Sequence, residues 1–118
     1  MDTLQAAILS YRIRNLDKVI EKRRQNAAIY QQLLNRDNIY FPAQDPEYFD
    51  TFHTFVIQVN RRDELSSYLK SCGVQTAIHY PIPIHLQPAS KALGKGPGDF
   101  PITEKQCKRI LTLPVNQS

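Results

Sequence analysis

Two of the three histidines and one tyrosine stand close together in a proline-rich segment, residues 79–88, with the sequence HYPIPIHLQP. Imidazole and phenol groups donate and accept hydrogen bonds, and imidazole also exchanges protons near neutral pH. The prolines fix their own backbone angles and push each preceding residue out of the helical region. The segment therefore predicts a stiff loop that presents His79, Tyr80, His85 and Gln87 as part of a binding site. The residues alone equally allow that His79 and Tyr80 only end a strand and cap a core.

Other kinds of site find little support in the sequence. The histidines and the two cysteines lack the i, i+4 or CxxC spacing that zinc sites usually show, so no metal site is predicted. No GxSxG motif marks a hydrolase nucleophile. Residues 94–98 carry three glycines, but no strand precedes them and Pro97 removes an amide donor, which favours a plain turn over a phosphate-binding loop.

Composition narrows the class of protein. A chain of 118 residues with 42% hydrophobic residues matches one domain with a modest core. The net charge of +4 is small, and the basic clusters also carry polar or acidic neighbours, which argues against a nucleic-acid partner. No apolar run approaches the roughly 20 residues that span a membrane. Cys72 and Cys107 are far apart and are predicted to be reduced, so we expect a cytoplasmic protein without a membrane contact.

The first 34 residues contain neither glycine nor proline, and their apolar side chains recur at helical spacing. This pattern predicts one amphipathic helix of about 50 Å, whereas a domain of this size has a radius of gyration near 13 Å. We therefore expect part of the helix to be covered by something outside this chain. The alternative is a helix that bends over its own core.

The remainder predicts a small α+β domain. Residues 54–59 give the strongest strand pattern, with Phe55, Ile57 and Val59 on one face. A helix is expected to follow, with Asn60 as its N-cap and Gly73 after its end. Together with a strand at 74–80 this makes a βαβ or split βαβ unit. The other expected elements are a strand at 39–41, a short helix at 88–93, a helix from Pro101 to about Arg109 and a strand at 110–113.

Four segments, taken in order, resemble the C-terminal part of the DegT/DnrJ/StrS family of sugar aminotransferases, which depend on pyridoxal 5'-phosphate (PLP). They are MDTLQAAIL at 1–9, HYPIPIHLQP at 79–88, GDFPITE at 98–104 and ILTLPV at 110–115. The resemblance implies the aspartate aminotransferase fold (fold type I). In that fold this chain would supply a long interdomain helix, residues 1–35, and the small C-terminal α+β domain, residues 36–118.

The resemblance also implies a function, namely transfer of an amino group from glutamate to a keto group of a nucleotide-linked sugar. His79 and Tyr80 would shape the substrate pocket, with His85 and Gln87 nearby. The Schiff-base lysine and the phosphate-binding residues would belong to the large domain. We therefore expect no catalytic residue in this chain, no tight PLP binding and no activity of the chain alone, and we expect a homo-oligomer. The rival interpretation is a free-standing α+β ligand-binding or regulatory module.

Overall fold

The computed structural model of the chain describes residues 2–116. Met1, Gln117 and Ser118, which the predicted domain ranges include, lie outside the described residues. The helices are α1 (Thr3–Ile13), α2 (Leu16–Leu33), α3 (Arg62–Ser71) and α4 (Pro101–Cys107), and the strands are β1 (Phe55–Gln58) and β2 (Ile110–Leu113). Two 3-10 turns, Ile84–Leu86 and Pro88–Leu93, precede α4. The predicted α+β class is confirmed, as are the short helix at 88–93, the helix that starts at Pro101 and the last strand.

The predicted continuous N-terminal helix is wrong in one respect, because the structure divides it into α1 and α2. The break lies at Arg14 and Asn15, where Asn15 leaves the helical region with φ −110° and ψ 9°. Asparagine competes with helical backbone hydrogen bonds and favours the start of a helix, so a break at this residue is physically reasonable. The start of α1 is capped by Asp2, whose carboxylate accepts a hydrogen bond of 2.8 Å from the amide of Gln5.

The chain forms two compact units. Among the described residues, one unit contains 2–34, the loop Gln44–His53 and 115–116. Within it the Arg24 guanidinium donates to the carbonyl of Asp50 at 2.7 Å and lies 4.4 Å from the centre of the Phe49 ring. These contacts join the loop to α2. These units are defined by contacts within the chain, which do not test whether residues 1–35 and 36–118 are separate parts of an enzyme. The predicted division at residue 35 therefore stays a prediction.

The second unit contains Asn35–Ala43 and Thr54–Pro114 and is built on the antiparallel pair of β1 and β2. Ile57 lies opposite Leu111, and Phe55 lies opposite Leu113. Ile57 and Leu111 are each only 1% exposed, and each contributes on the order of 1.5–3 kcal/mol by burial. Phe55 and Ile57 of β1 and Val59, which follows it, are all buried, and this alternation confirms the predicted face.

Two predicted strands are wrong, because residues 39–41 and 74–80 each make only one isolated bridge. Tyr40 pairs with Gln58, and Ala77 pairs with Thr112. Pro42 and Pro81 each end one of these segments, and proline lacks the amide that would continue the ladder. The bridge of Ala77 nevertheless places β2 between β1 and the 74–80 segment. This is the split alternative of the predicted βαβ unit.

Helix α3 begins later than predicted and ends where predicted. Its N-cap is Arg61 and not Asn60, and no side chain makes a capping hydrogen bond there. Gly73 follows its end with φ +80°, and the amides of Gly73 and Val74 donate to the carbonyls of Lys70 at 3.0 Å and Leu69 at 2.8 Å. This pair of hydrogen bonds is a Schellman motif, which requires the left-handed conformation at the glycine.

We predict that Gly73→Ala lowers the free energy of unfolding by roughly 1–2 kcal/mol, because a side chain disfavours the left-handed conformation. A Cβ at this position meets no atom within 4 Å, so the cost comes from the backbone alone. The control is Gly96→Ala, which has equal space and no left-handed backbone. It should be neutral or stabilising by about 0.4–1 kcal/mol. Urea unfolding measures both, and equal stabilities of the two variants would contradict the motif.

Candidate functional site

The proline-rich loop has a defined shape. The amide of Leu86 donates to the carbonyl of Pro83 at 3.0 Å, and the amide of Gln87 donates to that of Ile84 at 3.1 Å. Pro83 is buried, and the peptide bond between His79 and Tyr80 is cis. The loop is therefore held by its own backbone hydrogen bonds as well as by its prolines.

His79 connects the start of the loop to the sheet. Its Nδ1 lies 3.0 Å from the hydroxyl oxygen of Thr112, a buried residue of β2. The rings of His79 and Tyr80 meet edge to face, with their centres 5.6 Å apart. Tyr80 is 70% exposed. The structure thus brings these two predicted residues together, one fixed to the strand and one presenting its phenol to the surroundings.

His85 connects the other end of the loop to the start of α4. It is only 9% exposed, its Nε2 lies 3.1 Å from Oε1 of Glu104, and its ring centre lies 4.7 Å from that of Phe100. The same Oε1 of Glu104 accepts a 2.8 Å hydrogen bond from the amide of Gly98. A residue predicted as a substrate contact is therefore also engaged with a carboxylate.

The hydrogen bonds at Glu104 change its acidity. The amide of Gly98, and after it the His85 ring, lower the pKa of the Glu104 carboxyl below its ordinary value, while partial burial opposes them. Sequence reasoning missed Glu104 as a site residue, although it lies in the GDFPITE segment that carries part of the resemblance. Only the fold brings it to His85, which lies 19 residues earlier in the chain.

The fourth predicted residue, Gln87, behaves differently. Its side-chain amide lies 3.5 Å from the carbonyl of Ile82, at the limit of a hydrogen bond, and the residue is half-buried. This contact closes the loop on itself. Gln87 therefore supports the loop from within, and a role in substrate binding stays a prediction.

A cavity of about 490 Å³ lies beside His85. Its lining comes from the loop, the second 3-10 turn and the start of α4, and consists of Ile84, His85, Leu93, Lys95, Phe100 and Thr103. The walls are mainly apolar, with an ammonium, a hydroxyl and an imidazole among them. Such a lining suits a ligand with a flat apolar part and a few polar or anionic groups.

Across residues 2–116 no cluster of three or more histidine, cysteine, aspartate or glutamate residues could hold a metal ion. Within the same range no helix is both long and apolar enough to cross a membrane.

Residues 1–118 of this chain match the model of the DegT/DnrJ/EryC1/StrS aminotransferase family. This chain belongs to that family. The family resemblance of the four sequence segments is thereby confirmed.

Relatives of known name include the "Pleiotropic regulatory protein" of Geobacillus stearothermophilus, which is 40% identical over 98% of this chain and 32% of its own length. The "dTDP-3-amino-3,4,6-trideoxy-alpha-D-glucose transaminase" of Streptomyces venezuelae is 35% identical over 98% of this chain and 31% of its own length. Among solved structures, DesV of S. venezuelae in complex with a ketimine intermediate superposes with a TM-score of 0.92 at 35% identity. The superposition covers 99% of this chain and 32% of the DesV chain. The chain thus spans about a third of the length of these relatives.

We predict that Glu104→Gln removes a pH-dependent part of the stability. A carboxyl whose pKa is lowered in the folded state stabilises it above the ordinary pKa of about 4.3, and this contribution is lost as the pH falls through the lower folded value. The wild type should therefore exceed the variant in stability near neutral pH, and the two should converge in acid.

Urea unfolding between about pH 7 and pH 3 measures this difference. The matched control is Glu47→Gln, at an exposed position in the loop Gln44–His53. It should run parallel to the wild type. A constant gap between the wild type and Glu104→Gln at every pH would contradict the prediction.

Proposed function

We propose that this chain is part of an aminotransferase that transfers an amino group from glutamate to a keto group of a nucleotide-linked sugar. The match of all 118 residues to the aminotransferase family carries this proposal. The named relatives that support the substrate class include transaminases of dTDP-linked sugars and an aminotransferase of a UDP-linked glucuronate from Pseudomonas aeruginosa. The donor glutamate is an expectation from the resemblance.

In this proposal the loop contributes the recognition of the sugar. Tyr80 offers an exposed phenol, and His79 is fixed by Thr112 through Nδ1, so its other ring nitrogen stays available. Both groups can hydrogen-bond hydroxyl or phosphate oxygens, and both have few rotatable bonds to immobilise. His85 and Gln87 would hold the loop in its binding conformation and contact the substrate only at its edge.

We propose that PLP, the cofactor of this type of enzyme, has its covalent partner outside this chain. A lysine that forms a Schiff base needs a lowered pKa, which burial or a neighbouring cation provides. Every lysine of this chain is exposed, including Lys70, Lys91 and Lys95, so burial prepares none of them for this role. We therefore propose that the cofactor is held by other parts of the enzyme and that this chain alone neither binds it tightly nor turns over substrate.

Assembly and location belong to the same proposal. Several large apolar side chains of α1 are more than half exposed, among them Leu4, Leu9 and Ile13. An exposed apolar face of this kind suits a contact with another protein surface. It supports, within the proposal, a homo-oligomeric enzyme. A cytoplasmic location stays an expectation from the sequence.

We predict no amino transfer by the purified chain when it is supplied with PLP, glutamate and a dTDP-linked 3-keto sugar, because it offers no buried lysine. Mass spectrometry of the nucleotide sugar measures the amino product. The positive control is a relative that spans the complete enzyme. Turnover by this chain that survives repurification and is lost in a lysine-to-arginine variant would refute the proposed inactivity.

We also predict that Tyr80→Phe, in the complete enzyme that carries this sequence, raises the KM for the sugar substrate about fivefold and leaves kcat nearly unchanged. The removed phenol hydroxyl would contribute one hydrogen bond of about 1 kcal/mol. Tyr48→Phe is the matched control, since Tyr48 is 67% exposed and lies in the other compact unit. Steady-state kinetics with varied sugar concentration measures both. Equal KM values for the two variants would show that Tyr80 does not contact the sugar.

The rival interpretation, a free-standing ligand-binding module, has a different signature. It would be favoured by saturable sugar binding to this chain that does not depend on PLP.

A further inference from the structure

The contact between His85 and Glu104 restricts the chemistry of the imidazole. We propose that Glu104 is a positioning residue: whenever the His85 ring is in its neutral form, Glu104 fixes it as the tautomer protonated at Nε2, so that Nδ1 is then left as a hydrogen-bond acceptor. The tautomer follows from the geometry of this chain. Its use in binding a sugar rests on the proposed function.

The direction of the hydrogen bond follows from the carboxylate. An ionised carboxylate can only accept, and the lowered pKa of Glu104 keeps it ionised at neutral pH. Its Oε1 lies 3.1 Å from Nε2 of His85 and also accepts from the amide of Gly98. Nε2 must therefore carry the hydrogen, because two acceptors at this distance would repel each other.

Packing keeps the ring in this orientation. His85 is nearly buried, and the Phe100 ring lies against it with an angle of 52° between the two planes. The 3-10 turn that contains His85 is closed by the two backbone hydrogen bonds of the loop. A half-turn flip of the ring would put Cε1 in the place of Nε2 and would remove the hydrogen bond to the carboxylate, so both packing and hydrogen bonding oppose it.

The consequence for a ligand concerns hydrogen-bond polarity. A neutral imidazole has one donor and one acceptor, and the donor is already engaged with Glu104. Nδ1 has no hydrogen-bond partner among the residues that the structure describes. Since His85 lines the cavity of about 490 Å³, a ligand that contacts Nδ1 of the neutral ring must supply a donor, such as a sugar hydroxyl.

His79 provides an internal comparison. Its Nδ1 faces the hydroxyl of Thr112, and a hydroxyl can donate or accept. The structure therefore does not fix the tautomer of His79. Of these two histidines, His85 is the one held by an ionised carboxylate, which can only accept.

The experiment is a long-range ¹H–¹⁵N correlation spectrum of the histidine rings in this chain, without cofactor or sugar, at about pH 9, where imidazole is ordinarily neutral. His53→Gln and His79→Gln assign the signals. For His85 we expect protonation at Nε2 alone and a ring proton protected from solvent exchange. Protonation at Nδ1 in the wild type overturns the proposal.

Glu104→Ala tests the cause of the tautomer. The exchange rate of the Nε2 proton should rise about tenfold or more, and a fraction of the Nδ1-protonated form should appear, because the acceptor is gone. Glu64→Ala removes a different, exposed glutamate and should leave the His85 signals unchanged. An Nε2 proton that is equally protected in Glu104→Ala overturns the proposal.

The backbone amide spectrum shows whether Glu104→Ala is folded. If that variant does not fold, Glu104→Gln takes its place, since its side chain keeps the size but can also donate. It should then show a mixture of both tautomers, and a single Nε2-protonated form with unchanged exchange overturns the proposal. None of these measurements involves a sugar, so a failed proposed function would leave their outcome unaffected.

Discussion

The register between β1 and β2 determines the positions of the site residues in the second unit. Ile57 faces Leu111 in the core, while Thr112, the next residue along β2, points to the other face of the sheet. Thr112 carries both the backbone bridge to Ala77 and the contact to His79. A shift by one residue would exchange the faces, placing the threonine hydroxyl in the core and removing the anchor of the loop. The packing of Ile57 against Leu111 therefore also fixes the position of the Thr112 side chain on the opposite face of the sheet.

The loop is held at two points by different kinds of interaction. At its start the anchor is the hydroxyl of Thr112 on a strand, and near its other end it is the carboxylate of Glu104 at the start of a helix. Between these points, prolines reduce the conformational freedom of the chain before it folds. A loop restricted in this way loses little entropy when a ligand binds, which is the physical advantage of preorganisation. This arrangement has a cost in free energy, because the buried His85 would lose stability without the Glu104 carboxylate as its hydrogen-bond partner.

Local patterns were enough to predict part of this arrangement. The alternation in β1, the left-handed Gly73 and the start of α4 at Pro101 each depend on a few neighbouring residues, so the sequence indicates them directly. The break at Asn15 was missed because its side chain is compatible with a helix interior at modest cost. The pairing of His85 with Glu104 could not be predicted, since it depends on how the second 3-10 turn and Gly94 redirect the chain. The loop could be identified as a candidate site, but its supporting residues required the fold.

The exposure of the lysines and the burial of His85 together define what this chain can contribute under the proposed function. Burial is one way in which a protein prepares a lysine for proton transfer, and every lysine of this chain is exposed. In that proposal, His79 and His85, whose rings are anchored by Thr112 and Glu104, would instead recognise the shape and polarity of a ligand, in the ground state and the transition state alike. Interactions of that kind act on KM more than on kcat. Under the proposed function, the chain would therefore contribute specificity for the sugar, and residues outside it would supply the chemistry of amino transfer.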